Sequence, residues 1–258
     1  MNFSPGFSQH DTQSTERVST KAVFFDVDFT LIHPGPTFRG EGYRAFCARY
    51  GMDVDASKFA DAVAGAAPLL EEPEDAAYTA EIFVDYTRRI IEGMGGAGPT
   101  LDACAREMYV EWAACQHFEL YDEVPGVLRT LAGAGLRIGL ISNSHRCLAS
   151  FQSHFELEEL ITAAISSSEH GFMKPHPSIF SAALQLVDVE PGDAVMVGDS
   201  LKHDVEGAMR AGMSGVLLHR GHGDHPGEAD LAARGVRVIR SLDELPAILI
   251  RAGDRVIG

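Results

Sequence analysis

Two carboxylates stand together directly after a short apolar run near the start of the chain. The run is Ala22 to Phe25, and it is followed by Asp26, Asp28 and the hydroxyl of Thr30. An apolar run of this length, bounded by polar residues, is typical of a buried parallel strand. Adjacent carboxylates repel one another and raise each other's pKa, and a divalent cation relieves that repulsion. The stretch therefore predicts that Asp26 and Asp28 form the floor of a magnesium site.

Further residues suited to the same chemistry follow two later predicted strands and one loop. The apolar runs 136–141 and 193–197 predict strands whose ends reach polar residues. Ligands of an open parallel sheet bind outside the carboxyl ends of its strands, so these polar residues are expected beside Asp26. Carboxylates for a metal, donors for an oxyanion and one lysine suit phosphoryl transfer. The residues concerned are Ser142, Asn143, Lys174, Asp199 and Asp204.

The elements that must position these side chains fall into two groups along the chain. From about residue 119 strands and helices alternate, which predicts an α/β fold with a parallel sheet and helices on both faces. Between residues 36 and 118 the apolar spacing is helical throughout and is interrupted by prolines and glycines, which predicts about four inserted helices. The segment 33–36 predicts a turn that neither continues a strand nor starts a helix before Thr37.

These patterns together resemble a known family. Asp26-Val-Asp28-Phe-Thr30, Ser142, Lys174-Pro175, and Gly198-Asp199 with Asp204 resemble the four motifs of the haloacid dehalogenase-like (HAD) hydrolase superfamily in order and spacing. One motif alone is weak, since a DxD also occurs in glycosyltransferases, but four in order over residues 21 to 220 are specific. The resemblance implies a three-layer, Rossmann-like core with a helical cap inserted between the first and second motifs. We therefore expect a tail at 1–20, a core at 21–35 and 119–258, and a cap at 36–118.

The resemblance also implies which residues react and which bind the metal. Asp26 would attack phosphorus to form an aspartyl-phosphate, and Asp28 would protonate the leaving oxygen and later activate water. Mg²⁺ would bind the Asp26 carboxylate, the backbone carbonyl of Asp28 and the carboxylate of Asp199. Asp204 would help directly or through water.

The same resemblance assigns the remaining residues to the substrate. Ser142 and the N–H of Asn143, placed at a helix start, would hold phosphoryl oxygens. Lys174 would pair with both the phosphate and the nucleophile, and Thr30 would support the acid/base or its neighbouring backbone. Phe29 departs from the pattern, because the family commonly has glycine there; the backbone after the acid/base is expected to be less free and the mouth of the pocket to be altered, although the side chain is able to point away from the site.

An acid at position 28 favours phosphate esters over carbon–halogen bonds, because family members that cleave the latter lack it. We therefore expect a Mg²⁺-dependent phosphatase acting on a small phosphorylated metabolite. A phosphomutase using the same two aspartates and a non-catalytic sensor of a phosphate ligand remain alternatives. The substrate stays open, because phosphoglycolate, sugar phosphates and nucleotides are all compatible with the sequence.

Three other patterns favour structural over functional interpretations. The GxGxxG match at 93–98 follows a predicted helix and is expected to be an inter-helix loop, not a nucleotide site. His219, His222 and His225 fit a solvated turn better than a metal site. The helically spaced aromatic residues are expected to form the core of the inserted helices and not to contact substrate; these are Phe83, Tyr86 and Trp112.

The composition of the chain limits the binding partners and the cellular compartment that we expect for the protein. The formal charge of −16 and the pI near 5.0 argue against nucleic-acid backbones and anionic membranes. The four cysteines are scattered without a CxxC pair, which indicates free buried thiols in a reducing compartment. The polar start of the chain has no signal-peptide pattern. We expect a cytoplasmic protein, monomeric or homodimeric, with a disordered N-terminal tail.

Overall fold

A computed structural model of the chain describes residues 20–71, 77–221 and 223–250. The predicted tail lies outside these residues except for Thr20. The described residues form a parallel sheet with strand order β5-β4-β1-β6-β7-β8 and a separate two-stranded sheet of β2 and β3. The bounds of the strands are β1 Ala22–Phe25, β2 Ile32–Pro34, β3 Phe118–Leu120, β4 Arg137–Ser142, β5 Ala163–Ser166, β6 Ala194–Gly198, β7 Ser214–Leu218 and β8 Arg237–Ile239.

Helices follow the strands of the large sheet, as the predicted alternation requires. The α-helices of the described residues are α1 Gly40–Ala48, α2 Phe59–Ala66, α3 Ala80–Gly93, α4 Leu101–Trp112, α5 Val124–Gly133, α6 Leu148–His154, α7 Ser167–His170, α8 Pro177–Val187, α9 Gly207–Arg210, α10 Glu228–Ala233 and α11 Leu245–Leu249. A π-helix, Leu201–Glu206, leads into α9. Ser241 and Glu244 form a capping box before α11, with both of its reciprocal hydrogen bonds present.

Alternating side chains of β1 explain why the sheet is covered on both faces. Val23 and Phe25 belong to one buried hydrophobic cluster, and Ala22 and Phe24 belong to another. Successive residues of a strand point to opposite faces, so this short apolar run fills two cores at once. The parallel α/β fold predicted from the sequence is confirmed, and its central strand is β1.

The helices between β2 and β3 form a segment that we call the helical insertion, residues 36–117. Within its described residues it contains α1 to α4, in agreement with the predicted four helices. The prediction for 33–36 is wrong on two counts, because Ile32–Pro34 is a strand and a 3₁₀ helix begins at Pro36. β2 pairs antiparallel with β3, so the chain leaves the core and returns to it through adjacent strands.

Three smaller predictions can be compared with the structure. Residues 93–98 link α3 to α4, as predicted for an inter-helix loop. The four cysteines are free as predicted, but Cys147 is exposed, because its backbone lies in the loop before α6 instead of in a core face. No helix of the described residues has the length and apolarity needed to cross a membrane.

Candidate active site

The ends of two neighbouring strands of the large sheet, β1 and β6, meet at one site. β1 ends at Phe25, so Asp26 is the first residue outside the strand, although its N–H still donates to the carbonyl of Val197 at 2.9 Å. β6 lies beside β1 and ends at Gly198, which places Asp199 next to Asp26. Carboxyl ends of parallel strands at such a position form the usual ligand crevice of an open α/β sheet.

A buried lysine links the two carboxylates that lie deepest in the site. The Lys174 ammonium is 2.7 Å from Oδ1 of Asp26 and 2.6 Å from Oδ1 of Asp204. All three side chains are buried. Desolvation would lower the pKa of Lys174, but Asp204 and Asp26 outweigh it and raise that pKa above its ordinary value. Lys174 is therefore a permanent cation that holds Asp26 in place.

The acidic side chains exceed what this one lysine neutralises. Carboxylate oxygens of Asp26, Asp199 and Asp204 all lie within 4.8 Å of one another. Burial, with the charges of Asp204 and Asp28, raises the pKa of Asp26 to about 7 despite Lys174. The pKa of Asp199 rises to about 8 because of desolvation in the cleft and then the charges of Asp26 and Asp204. Three oxygen donors with this unrelieved repulsion fit a hard divalent cation.

Gly198 makes the close approach of Asp204 possible. A Cβ atom at position 198 would lie 2.2 Å from Oδ2 of Asp204, which is far inside van der Waals contact. With glycine there, Asp204 on the π-helix turns toward the strand end, and its Oδ2 accepts a hydrogen bond from the N–H of Ser200 at 3.0 Å. The Gly-Asp pair of the sequence thus serves both Asp199 and Asp204.

Asp28 lies apart from the acidic cluster and has a different partner. Its Oδ1 accepts a hydrogen bond at 2.9 Å from Nη1 of Arg146, whose side chain is only 1% exposed. Nη2 of the same guanidinium donates to the carbonyl of Trp112 at 2.8 Å, and its Cζ lies 4.4 Å from the centroid of the Phe118 ring. Arg146 therefore joins Asp28 to the last residue of α4 in the helical insertion.

Arg146 is the main site residue that the sequence did not reveal. Arginine is seldom fully buried unless paired, so its usual interpretation in a loop is solvent exposure. A signal does exist, since Arg146 follows Ser142 by four residues in the loop that leaves β4. Its partners are distant in sequence, however, and no spacing rule connects them.

The structure places Phe29 in the site and not away from it. Phe29 has φ of 65°, in the left-handed region that favours glycine, and its ring lines the cavity at 45% exposure. The side chain does not take the alternative of pointing away: the backbone turn is closed by the hydrogen bond from the Phe29 N–H to the Ile32 carbonyl at 2.7 Å, and the ring is part of the cavity lining, as expected for an altered pocket mouth.

Of the residues expected to bind phosphate, Asn143 lines the cavity, whereas Ser142 lies behind the lining residues. The Asn143 amide forms two hydrogen bonds with the backbone of Lys174, at 2.7 and 2.8 Å. Asn143 does not start a helix, because α6 begins at Leu148. Ser142 is buried, and its hydroxyl is 2.9 Å from that of Ser144, which lines the cavity.

Thr30 lies behind the site. Its hydroxyl is buried and has no hydrogen-bond partner among the described residues, so the structure shows no contact with Asp28. The carbonyl of Thr30 instead accepts a hydrogen bond at 3.0 Å from Arg220.

The acidic cluster opens into a cavity of about 230 Å³ between the sheet and the helical insertion. The aromatic residues Phe83, Tyr86 and Trp112 line it, although Tyr86 and Trp112 also pack against the core. The predicted core role is therefore met by Tyr86 and Trp112, and all three side chains also line the cavity, because α3 and α4 cover the strand ends and their inner faces meet the cavity as well as one another. Sequence spacing identifies the inner face of a helix but not the gap in front of it.

The described histidines of the later loop, His219 and His225, do not line this site. Their rings stack edge to face with centroids 5.1 Å apart. His222 lies outside the described residues. Among the described residues, the group of three or more side chains that could hold a metal ion is the acidic cluster of Asp26, Asp199 and Asp204.

Comparison with known proteins agrees with the geometry. Residues 20–212 match the family model of haloacid dehalogenase-like hydrolases. The chain is 30% identical over 244 residues to human N-acylneuraminate-9-phosphatase, covering 89% of this chain and 93% of that protein. It is 27% identical over 215 residues to glyceraldehyde 3-phosphate phosphatase of Pyrococcus furiosus, covering 78% and 81% of the two chains.

A solved structure shows the same relationship. The crystal structure of a HAD phosphatase from Thermococcus onnurineus superposes with a TM-score of 0.60 at 25% identity, covering 92% of this chain and all of that one. The family model, the relatives and the solved structure confirm the resemblance inferred from the residues. The chain belongs to the haloacid dehalogenase-like hydrolases.

Proposed function

We propose that this protein is a Mg²⁺-dependent phosphatase that hydrolyses a small phosphorylated metabolite through an aspartyl-phosphate on Asp26. The observation that carries the proposal is the placement of Asp26 at the end of the central strand, held by Lys174 at 2.7 Å and facing the cavity. A fixed, cation-paired carboxylate at a strand end is suited to attack on phosphorus.

The acidic cluster supports the choice of metal. Asp26, Asp199 and Asp204 would hold Mg²⁺ through their carboxylates, with the backbone carbonyl of Asp28 as a further ligand. The ion would supply positive charge that shields the nucleophile from the anionic substrate. Because the Asp28 carboxylate is committed to Arg146, that side chain stays free of the metal.

The two aspartates have complementary tasks in the proposed reaction. An oxygen of Asp26 forms a bond to phosphorus as the bond from phosphorus to the ester oxygen breaks, and Asp28 gives its proton to the departing oxygen. In the second step a water oxygen bonds to phosphorus, the bond to Asp26 breaks, and Asp28 takes back the proton of the water. Alcohol and phosphate are released, and both carboxyl groups return to their initial states.

The surrounding residues would position the transferred phosphoryl group. Lys174, Asn143 and Ser144 line the cavity next to Asp26, so an ammonium, an amide and a hydroxyl are available for the phosphoryl oxygens. Ser142 would act through its hydrogen bond to Ser144. We assign residues 36–118 to a cap that covers these groups and excludes water from the reacting centre.

The choice of a small metabolite rests on the cavity and the relatives. A volume of about 230 Å³ suits a small molecule and not a phosphoprotein. The relatives named above act on an N-acylneuraminate 9-phosphate and on glyceraldehyde 3-phosphate, both small phosphorylated carbohydrates.

The test is phosphate release from a panel of phosphorylated metabolites with Mg²⁺, compared with Asp26→Asn. We expect multiple turnovers by the intact protein and a loss of about 10⁴-fold or more in the variant, which loses the nucleophile. Circular dichroism of the variant controls for folding. Absence of phosphate release from every ester would overturn the proposal, and transfer of phosphate back to the substrate without net release would identify a phosphomutase instead.

A further inference from the structure

The cavity has two halves, which we call the floor at the strand ends and the wall formed by the helical insertion, and they differ in the charged side chains that line them. The floor carries the carboxylates of Asp26, Asp28, Asp199 and Asp204, and Lys174 is the one lysine or arginine among the described residues that line the cavity. Both short contacts of its ammonium go to carboxylates of the floor. A bound divalent metal ion, Lys174 and Arg146 together match the four carboxylates, so a bound phosphate leaves net negative charge there. No further lysine or arginine stands among the described lining residues to receive a second anionic group.

The wall formed by the helical insertion is aromatic and apolar. Its lining side chains include Ile82, Phe83, Tyr109 and Met108. The rings of Phe83 and Tyr109 are nearly parallel, with an interplanar angle of 19°, and His145 stacks on Tyr109 at a centroid distance of 4.0 Å. Flat ring faces of this kind bind apolar or aromatic bodies by stacking and by burial of apolar area.

Two hydroxyl groups of this wall are engaged with other protein groups, whereas Nε2 of His145 is buried without a hydrogen-bond partner among the described residues. The hydroxyl of Tyr109 pairs with the hydroxyl of Tyr78, and the Thr87 hydroxyl donates to the carbonyl of Phe83 at 2.9 Å. Desolvation lowers the pKa of His145, which keeps that ring neutral near pH 7. The undescribed residues 72–76 add no basic side chain in sequence. The wall therefore offers mainly rings and apolar side chains to a ligand, and no lysine or arginine among its described residues to pair with a second negative charge.

We propose that the site prefers phosphate monoesters of uncharged alcohols with an apolar or aromatic face and discriminates against esters that carry a second anionic group, in contrast to the human relative, whose N-acylneuraminate substrate is itself a carboxylic acid. The inference rests on the proposed phosphatase function and specifies its substrate class. Volume supports it, since an apolar cavity of about 150 Å³ is enough for a benzene ring and this cavity measures about 230 Å³. A carboxylate placed against the wall would be desolvated without a partner.

The test uses three matched esters that differ only at the far end of the ring. They are 2-phenylethyl phosphate and its para-carboxamide and para-carboxylate derivatives, which share nearly the same leaving oxygen. We expect kcat/KM for the carboxylate to be about 10-fold or more below that for the carboxamide, which matches it in size but lacks the charge. Glycerol 2-phosphate serves as the polar, uncharged comparison and is expected to be a poorer substrate than 2-phenylethyl phosphate.

A substitution in the wall tests the cause of this discrimination. Ile82 is half-buried and lines the cavity, so Ile82→Arg brings a cation to the wall and Ile82→Met serves as the uncharged control. We expect Ile82→Arg to shift the carboxylate-to-carboxamide ratio of kcat/KM by about 10-fold toward the carboxylate, and Ile82→Met to leave the ratio near that of the wild type.

The outcomes separate this inference from the function on which it rests. Equal or better turnover of the carboxylate than of the carboxamide would overturn the discrimination against a second anion while leaving the phosphatase intact. A preference for glycerol 2-phosphate over 2-phenylethyl phosphate would overturn the inferred preference for alcohols with an apolar or aromatic face. Phosphate release from none of these esters and none of the metabolite panel would overturn the phosphatase itself.

Discussion

The floor and the wall of the cavity are built on opposite physical principles. On the floor, every charged side chain has a short contact or a close like charge, as in the pairing of Lys174 with Asp26 and Asp204. On the wall, rings such as Phe83 and Tyr109 present carbon surface, and their interactions are stacking and burial. The difference teaches that reactivity is fixed by electrostatics at strand ends, whereas recognition depends on the shape of the helical insertion.

The strongest way to break the comparison is to remove the cation of the floor. Lys174→Met leaves the buried carboxylates of Asp26 and Asp204 without their ammonium, so we expect the free energy of unfolding to fall by about 3–5 kcal/mol. Urea unfolding without metal measures the loss. We expect Mg²⁺ to restore part of it, because ion binding to the folded acidic cluster stabilises that state.

A surface lysine provides the matched control. Lys21 reaches Asp193 at 2.6 Å, but its side chain is 63% exposed. Lys21→Met should change the free energy of unfolding by no more than about 1 kcal/mol. If Lys174→Met were as stable as Lys21→Met, the floor would not depend on its buried ion pairs.

The second test removes Arg146, which connects Asp28 on the floor to Trp112 in the helical insertion. Arg146→Met removes the bonds to Asp28 and to the carbonyl of Trp112, and we expect kcat to fall by about 10²-fold because the acid/base loses its fixed position. Arg146→Lys keeps the charge but cannot reach both partners with one planar group, so an intermediate kcat is expected. A change confined to KM in both variants would contradict a positioning role.

The third test titrates the floor in the absence of metal. The pKa values of Asp26 and Asp199 are raised to about 7 and about 8, so the folded protein binds protons that the unfolded chain has lost. This contribution to stability is complete below the unfolded pKa near 3.8 and is lost as pH rises through 7 and 8.

Stability of the metal-free protein should therefore fall between pH 7 and pH 9. The expected loss is up to about 1 kcal/mol once solvent screening of the exposed Asp199 is allowed for. Histidine titration adds little in this range, because neutral imidazole prevails in both states. Mg²⁺ should stabilise the protein more at pH 9 than at pH 7, since it competes with these protons. Metal-free stability that rises over this range in thermal melts would contradict the assignment.

The smallest expected effect concerns Phe29, whose ring lines the cavity. Phe29→Gly and Phe29→Ala both remove the ring, but only glycine accepts φ of 65° without strain. We expect the glycine variant to be more stable than the alanine variant by about 0.5–1 kcal/mol in urea unfolding. Equal stability would show that the backbone relaxes once the ring is gone.

The floor could be predicted from sequence far better than the wall. Asp26 and Asp199 were identifiable because each directly follows an apolar strand, and parallel strand ends meet at one edge of a sheet. Lys174 lies in a loop, and it was singled out with Asp204 because the order and spacing of these residues resemble the motifs of the family. The resemblance also implied their roles, whereas the dependence of Asp204 on Gly198 became visible only in the structure.

The cavity wall, Arg146 and Phe29 depend on contacts that no local sequence pattern predicts. Arg146 contacts Asp28 across a sequence separation of 118 residues. Phe29 faces the cavity because one backbone torsion takes a value that sequence spacing does not specify. The strands β2 and β3 have three residues each, and β2 ends in proline, which disfavours a strand assignment.

The pairing of β2 with β3 has a consequence for how proteins of this architecture can diversify. Pro34 and Phe118 are directly opposite one another in the ladder, so the helical insertion joins the core at one place through two neighbouring strands. Adjacent entry and exit points make such a segment replaceable as a single cassette, with the central sheet unbroken on either side. A lineage can then exchange the surface that selects the alcohol while inheriting Asp26, Lys174 and Asp199 unchanged.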